Sequence, residues 1–79
     1  MTHVPHGLHE EFPQAAATIS HLRIADAHFA RLADGYDHLN REIHRIEAEV
    51  EPASDEALEG LKKKRLKLKD EIAAMLRAA

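Results

Sequence analysis

Apolar residues recur from Leu22 to Val50 at alternating steps of three and four, which is the heptad spacing of a packed helix face. The first series comprises Leu22, Ala25, Phe29, Leu32, Tyr36, Leu39, Ile43, Ile46 and Val50. The second series comprises Leu58, Leu61, Arg65, Leu68, Ile72, Met75 and Ala79. Neither series shows the period of two that is typical of strands. The pattern predicts an all-α chain with two long helices, each carrying one apolar seam.

The residues between the two series indicate where the helices end. Pro52 disfavours helical geometry in the residue before it, so the first helix is expected to end at residue 50. Ser54 is a good N-cap for a second helix that begins at Asp55. Phe12 and Pro13 are typical of a helix start. We therefore predict a flexible histidine-containing tail over 1–11 and a helical hairpin over 12–79, with a helix over 13–50, a turn over 51–54 and a helix over 55–78.

The two seams match each other in reverse order. When residues whose numbers sum to 104 are paired, every seam position of the second series meets a seam position of the first, for example Ile72 with Leu32 and Arg65 with Leu39. A short loop between helices makes them antiparallel neighbours, so we predict an antiparallel two-helix coiled-coil hairpin. Its seam comprises Phe29, Leu32, Tyr36, Leu39, Ile43, Ile46, Leu58, Leu61, Arg65, Leu68, Ile72 and Met75. Arg65 either places only its apolar stem in the seam or fixes the register by pairing with Asp37 or Glu42.

The unequal helix lengths predict an interaction surface. A first helix over 13–50 would be about 57 Å long and the second about 35 Å, so the start of the first helix would lack an internal partner. Apolar residues on that overhang and on a second flank of the second helix are expected to be exposed. They are Ile19, Leu22, Leu66, Ala73 and Leu76. Chains of about 80 residues or fewer rarely build a sufficient core alone, so self-association is expected.

Charge is distributed unevenly along the 79 residues. The net charge is −3, but the charges of residues 1–59 sum to −8 and those of residues 60–79 sum to +5. Most of the basic residues of the second part lie in 62–69. Such a tract can contact nucleic acid. It can equally pair with Glu42 and Glu47, which flank the first seam where Lys62 and Lys64 flank the second. Internal pairing is the preferred interpretation.

Candidate chemistry is sparse. The chain has no cysteine, and its seven histidines include His3, His6 and His9 in the predicted tail. Imidazoles at this spacing could chelate a metal, but no carboxylate or thiolate completes a closed site, so we expect no metal and no cofactor. Ser20 and Ser54 lack an arranged base, and a two-helix chain offers no concave pocket. We therefore do not expect an enzyme.

Several motifs together resemble the YdcH-like family of short bacterial proteins. They include Asp-Ala-His-Phe-Ala-Arg-Leu at 26–32, Ile-His-Arg-Ile-Glu at 43–47 and Leu-Lys-Lys-Lys-Arg-Leu at 61–66. Tyr36, Phe12-Pro13, Glu51-Pro52 with Asp55, and Leu-Lys-Asp-Glu-Ile at 68–72 complete the match. The resemblance covers nearly all of residues 9–77. It implies a cytoplasmic bacterial helical hairpin with no established biochemical activity and no site residues to transfer.

The expected function is therefore that of a small coiled-coil adaptor or regulatory module that binds proteins and self-associates. The alternative is a nucleic-acid-associated protein that uses residues 62–69. A membrane-bound protein is not expected, because no apolar run is long enough to span a bilayer.

Overall fold

Residues 4–79 are described by a computed structural model, and their regular structure is helical throughout. The elements are α1 (Leu8–Glu11), a 3-10 turn (Pro13–Ala15), α2 (Ala16–Ala25), α3 (Ala27–Glu47) and α4 (Asp55–Ala78). The predicted all-α class is confirmed. The prediction of two helices is wrong, because the described range contains four α-helices.

A single residue, Asp26, divides the predicted first helix. Its backbone is extended (φ −130°, ψ 108°), and its N–H donates to the Leu22 carbonyl at the end of α2. Its side-chain oxygen Oδ1 accepts from the amides of His28 at 2.9 Å and Phe29 at 3.1 Å, which caps α3. Asp26 therefore closes one helix and begins the next, which is a typical N-cap role for aspartate.

Helix α2 folds back onto α3 instead of extending beyond it. Arg23 on α2 bridges two carboxylates of α3, with Nη1 at 3.2 Å from Asp34 Oδ1 and Nη2 at 2.7 Å from Asp37 Oδ2. Ile19 is fully buried, and Leu22 is half-buried against the same core. The longest dimension of the molecule is 38 Å, well below the 57 Å expected for an unbroken first helix. The predicted overhang, with Ile19 exposed on it, is therefore wrong.

The N-terminal residues differ from the predicted flexible tail. Leu8 is only 2% exposed and belongs to the main core cluster. The Tyr36 hydroxyl donates to the His6 carbonyl at 2.6 Å, and Asn40 Nδ2 donates to the Pro5 carbonyl at 2.8 Å. These bonds satisfy backbone acceptors of the segment and hold it on α3. The rest of the predicted tail, residues 1–3, lies outside the described residues.

Helix α3 ends at Glu47, three residues before the predicted end. Glu49 adopts a left-handed backbone with φ 62°, its N–H donates to the Ile46 carbonyl, and the Val50 N–H donates to the Arg45 carbonyl. This is the Schellman pattern, which turns the chain away from the helix axis. Val50 is consequently 75% exposed and does not belong to the seam.

Helix α4 begins at Asp55 as predicted, and Ser54 Oγ accepts from the Ala57 amide at 3.0 Å. The core cluster comprises Leu8, Ile19, Phe29, Ala33, Tyr36 and Ile72, with Phe12, Ala15, Leu22, Leu32, Leu68, Met75 and Leu76 packed against it. All twelve seam residues are buried or half-buried. Contacts between α3 and α4 run in opposite chain order: Glu47 Oε2 lies 3.1 Å from Lys62 Nζ, and Asn40 Oδ1 lies 2.8 Å from Arg65 Nη1.

Candidate interaction surface

Helix α4 carries a second face beside its seam. The face comprises Lys62, Leu66, Lys69, Ala73 and Leu76, each one residue after a seam position and separated by steps of four and three. This spacing places the five side chains along one side of the helix. We call this set the outer face of α4.

The chain itself covers part of the outer face. Residues 4–15, which we call the N-terminal segment, reach it at Lys69, where Nζ lies 3.4 Å from Glu11 Oε1 and 5.9 Å from the centre of the Phe12 ring. An ammonium at this distance from an aromatic face is attracted by the ring quadrupole. Lys69 thus holds the N-terminal segment on α4 through the carboxylate of Glu11 and the ring of Phe12.

An apolar groove of about 360 Å³ remains between the N-terminal segment and the end of α4. Its lining comprises Glu11, Phe12, Pro13, Gln14, Ala15, Ala73, Leu76 and Arg77. Ala73 and Leu76, two residues of the predicted interaction surface, therefore line one groove. Leu66 lies outside that groove on the same helix face and is 57% exposed.

The remaining predicted interaction residues do not lie at this surface. Ile19 and Leu22 belong to the core, because the chain breaks at Asp26 and α2 folds back onto α3. Ile24, which is outside the predicted interaction surface, is 90% exposed near the end of α2. The signal that could have distinguished the two isoleucines was Asp26 itself, a favourable N-cap residue within the apparent heptad pattern.

The basic tract is partly used inside the molecule. Lys62 pairs with Glu47, one of the two predicted internal partners of the tract, and Lys69 pairs with Glu11. Lys63, Lys64 and Lys67 are exposed, and within residues 4–79 the structure shows no ion pair for any of them. The expected internal pairing of the tract with Glu42 and Glu47 is therefore formed in this range by Lys62 but not by Lys64.

Arg65 is bound to Asn40 instead of to a predicted carboxylate partner. Its half-buried guanidinium donates to Asn40 Oδ1, not to Asp37 or Glu42. Asn40 is 4% exposed and uses its other side-chain atom to donate to Pro5, so both ends of the amide are satisfied. Asn40 therefore links the N-terminal segment, α3 and α4.

Two titrating groups near the N-terminal segment have shifted pKa values. Burial alone would raise the pKa of Glu11, but Lys69 and His6 stabilise the carboxylate and hold its pKa below the ordinary value. Burial raises the pKa of Tyr36 to about 12, with a further contribution from the Glu11 charge. Glu11 is therefore ionised and Tyr36 neutral at neutral pH.

The histidines do not assemble a metal site in the described part of the chain. His6 Nδ1 lies 3.3 Å from Glu11 Oε1, while His9 is exposed and His3 lies outside the described residues. Across residues 4–79, no group of three or more histidine, aspartate or glutamate side chains is placed to hold a metal ion. None of the helices in that range is long and apolar enough to cross a bilayer.

Comparison with known proteins identifies the family of the chain. A family model described as "Protein of unknown function (DUF465)" matches residues 29–76, which is more than half of the chain. The match confirms the family resemblance found in the sequence and spans most of α3 and nearly all of α4. No curated protein and no solved structure shows significant similarity to the chain.

Proposed function

Because the chain belongs to the DUF465 family, whose description assigns no activity, we propose its function from its surfaces. We propose that α3 and α4 form an antiparallel coiled-coil hairpin that serves as a protein-interaction module without catalytic activity. The module self-associates through the outer face of α4. The opposite chain order of the Glu47–Lys62 and Asn40–Arg65 contacts supports the antiparallel arrangement.

The exposure of Leu66 is the observation that carries the interaction proposal. At 57% exposed, it is one of three large apolar side chains that the described residues leave in water. It lies on the same helix face as Ala73 and Leu76, which line the apolar groove. Full burial of a leucine contributes about 1.5–3 kcal/mol relative to exposure, so covering the remaining half would contribute about 1–2 kcal/mol per copy.

The test is the mass of the protein in solution as a function of concentration, measured by light scattering. Leu66→Ser should shift assembly to higher concentration, while circular dichroism shows that helix content is retained. Val50→Ser is the matched control, because Val50 is 75% exposed but lies in the turn after α3. A wild-type protein that stays monomeric throughout, or equal assembly in the two variants, would contradict the proposal.

Nucleic-acid binding is the second candidate function, supported by the three exposed lysines without ion pairs. Phosphate contacts release counterions, so such binding weakens steeply between about 50 and 200 mM salt. Changing Lys63, Lys64 and Lys67 together to Gln would then abolish retention of an oligonucleotide. Retention that is weak and the same in wild type and variant would favour the protein-interaction module.

A further inference from the structure

We propose that the chain binds a phosphate group in a cavity between the N-terminal segment and α4. The cavity has a volume of about 180 Å³. Four basic side chains face it together with one carboxylate and one phenol: His6, Lys62, Arg65, Lys69, Glu11 and Tyr36. Leu66 also lines this cavity, and Glu11 is the one residue that it shares with the apolar groove.

The charges around the cavity do not balance. Lys62 is paired with Glu47, and Lys69 is paired with Glu11, so each of these ammonium groups has a carboxylate partner. The hydrogen-bond partner that the structure shows for Arg65 is the neutral amide of Asn40. A half-buried guanidinium without an anionic partner has lost part of its hydration with no charge to offset the loss. An anion in the cavity would supply that charge.

The unused donors match the oxygens of a phosphate. A guanidinium has five N–H donors in a planar fork, and Asn40 occupies one position, which leaves donors for bidentate binding of phosphate oxygens. Lys62 and Lys69 each keep ammonium donors beyond the single carboxylate contact. The Tyr36 hydroxyl already donates to the His6 carbonyl, so it forms part of the wall instead of a binding group.

Glu11 limits the affinity of the site. Its lowered pKa keeps it ionised at neutral pH, and it lies in the same cavity. A second anion must approach this carboxylate, so repulsion opposes binding. Removing that charge should therefore strengthen phosphate binding, and the increase should be larger at Arg65 and Lys69 than at the exposed lysines of α4.

The experiment is a nuclear magnetic resonance titration of the intact chain with inorganic phosphate, in which chloride keeps the ionic strength constant. Saturable shifts are expected at the side-chain resonances of Arg65, Lys62 and His6. Arg65→Gln should weaken binding by roughly tenfold, the loss expected for a charge-assisted hydrogen bond. Lys64→Gln is the matched control, since Lys64 is exposed on α4 outside the cavity, and it should leave the affinity unchanged.

Glu11→Gln provides the opposite test, with tighter binding of phosphate expected. A nucleoside monophosphate and a single-stranded oligonucleotide, titrated in parallel, distinguish a phosphate monoester from a nucleic-acid backbone. Saturation by the monophosphate with the same Arg65 dependence supports the site. Shifts that do not saturate, shifts confined to Lys63, Lys64 and Lys67, or equal affinity in Arg65→Gln would overturn it. If Arg65→Gln fails to fold, the direction of the Glu11→Gln change decides the question.

Discussion

Helix α2 contains two isoleucines in opposite environments, which allows a direct test of the folded-back arrangement. Ile19 is fully buried in the core cluster, whereas Ile24 is 90% exposed. Truncating a buried isoleucine to alanine removes its transfer free energy and leaves a cavity, at a cost of about 2–5 kcal/mol. Ile19→Ala should therefore lower the free energy of unfolding by about 2–5 kcal/mol, and Ile24→Ala should change it by less than about 0.5 kcal/mol.

The assay is urea unfolding followed by the helical circular dichroism signal. A chain of this size has about 3–5 kcal/mol from a single core, so Ile19→Ala can unfold it completely. Ile19→Val removes one methylene and should cost about 0.5–1.5 kcal/mol, which leaves a measurable transition. Repeating the series at several protein concentrations separates folding from self-association, since only the latter depends on concentration.

The outcome also distinguishes the structure from the unbroken helix expected from the heptad pattern. On an unbroken helix Ile19 would lie in water, and its truncation would alter assembly without altering the stability of the hairpin. Equal shifts of the urea midpoint for Ile19→Ala and Ile24→Ala would refute the packing of α2 on α3. A large effect at Ile19 alone would support it.

Three further predictions concern capping, backbone strain and pH. Asp26→Ala should lower the free energy of unfolding by about 1 kcal/mol in urea, because it removes the cap of α3. Glu49→Gly should raise it by up to about 1 kcal/mol, since φ is 62° there, whereas Ala48→Gly, at negative φ, should lower it. Burial of Tyr36 should stabilise the fold below pH 10, and this stabilisation should disappear as the pH rises through about 12.

Each of these results has a distinct contrary outcome. An unchanged midpoint for Asp26→Ala would mean that α2 and α3 are continuous. A loss of stability in Glu49→Gly equal to that in Ala48→Gly would mean that Glu49 is helical. Tyr36 is the only tyrosine, so the absorbance of tyrosinate reports it alone. An equal pKa in the native and urea-unfolded protein would show that the phenol is not buried.

Features set by local chemistry were predictable from the sequence. Ser54 and Asp55 identified the start of α4, and both the cap and the boundary occur as expected. The seam residues from Phe29 to Met75 are all at least half-buried. The spacing of apolar residues predicts which side of a helix faces the core, because residues three or four positions apart lie on the same side of a helix.

The break at Asp26 was missed because the heptad spacing continues across it. Leu22 and Phe29 both contact the core, although one lies on α2 and the other on α3. Spacing alone cannot separate a straight helix from two helices that meet at an extended residue and pack on one core. The end of α3 was missed for a different reason: the Schellman turn places a glutamate, not a glycine, in the left-handed position.

The N-terminal segment could not be placed from the sequence, since its contacts depend on tertiary structure. Leu8 continues the heptad spacing backwards through Phe12 and Ala15, but spacing alone does not show that it packs against Tyr36 and Ile72. The carbonyls of Pro5 and His6 are bound by Asn40 and Tyr36, more than 25 positions later in the chain. No local pattern encodes such bonds.

The bounds of the family match give the N-terminal residues a particular importance. The match begins at Phe29, so Leu8 and Ile19 lie outside it while packing in one cluster with residues inside it. Without residues 4–25, α3 and α4 would expose Phe29 and Tyr36 to water, and another chain would be needed to cover them. In this chain α1 and α2 supply that cover. The proposed self-association therefore does not need the buried Ile19 and Leu22 of α2, and its test concerns Leu66 on the outer face of α4.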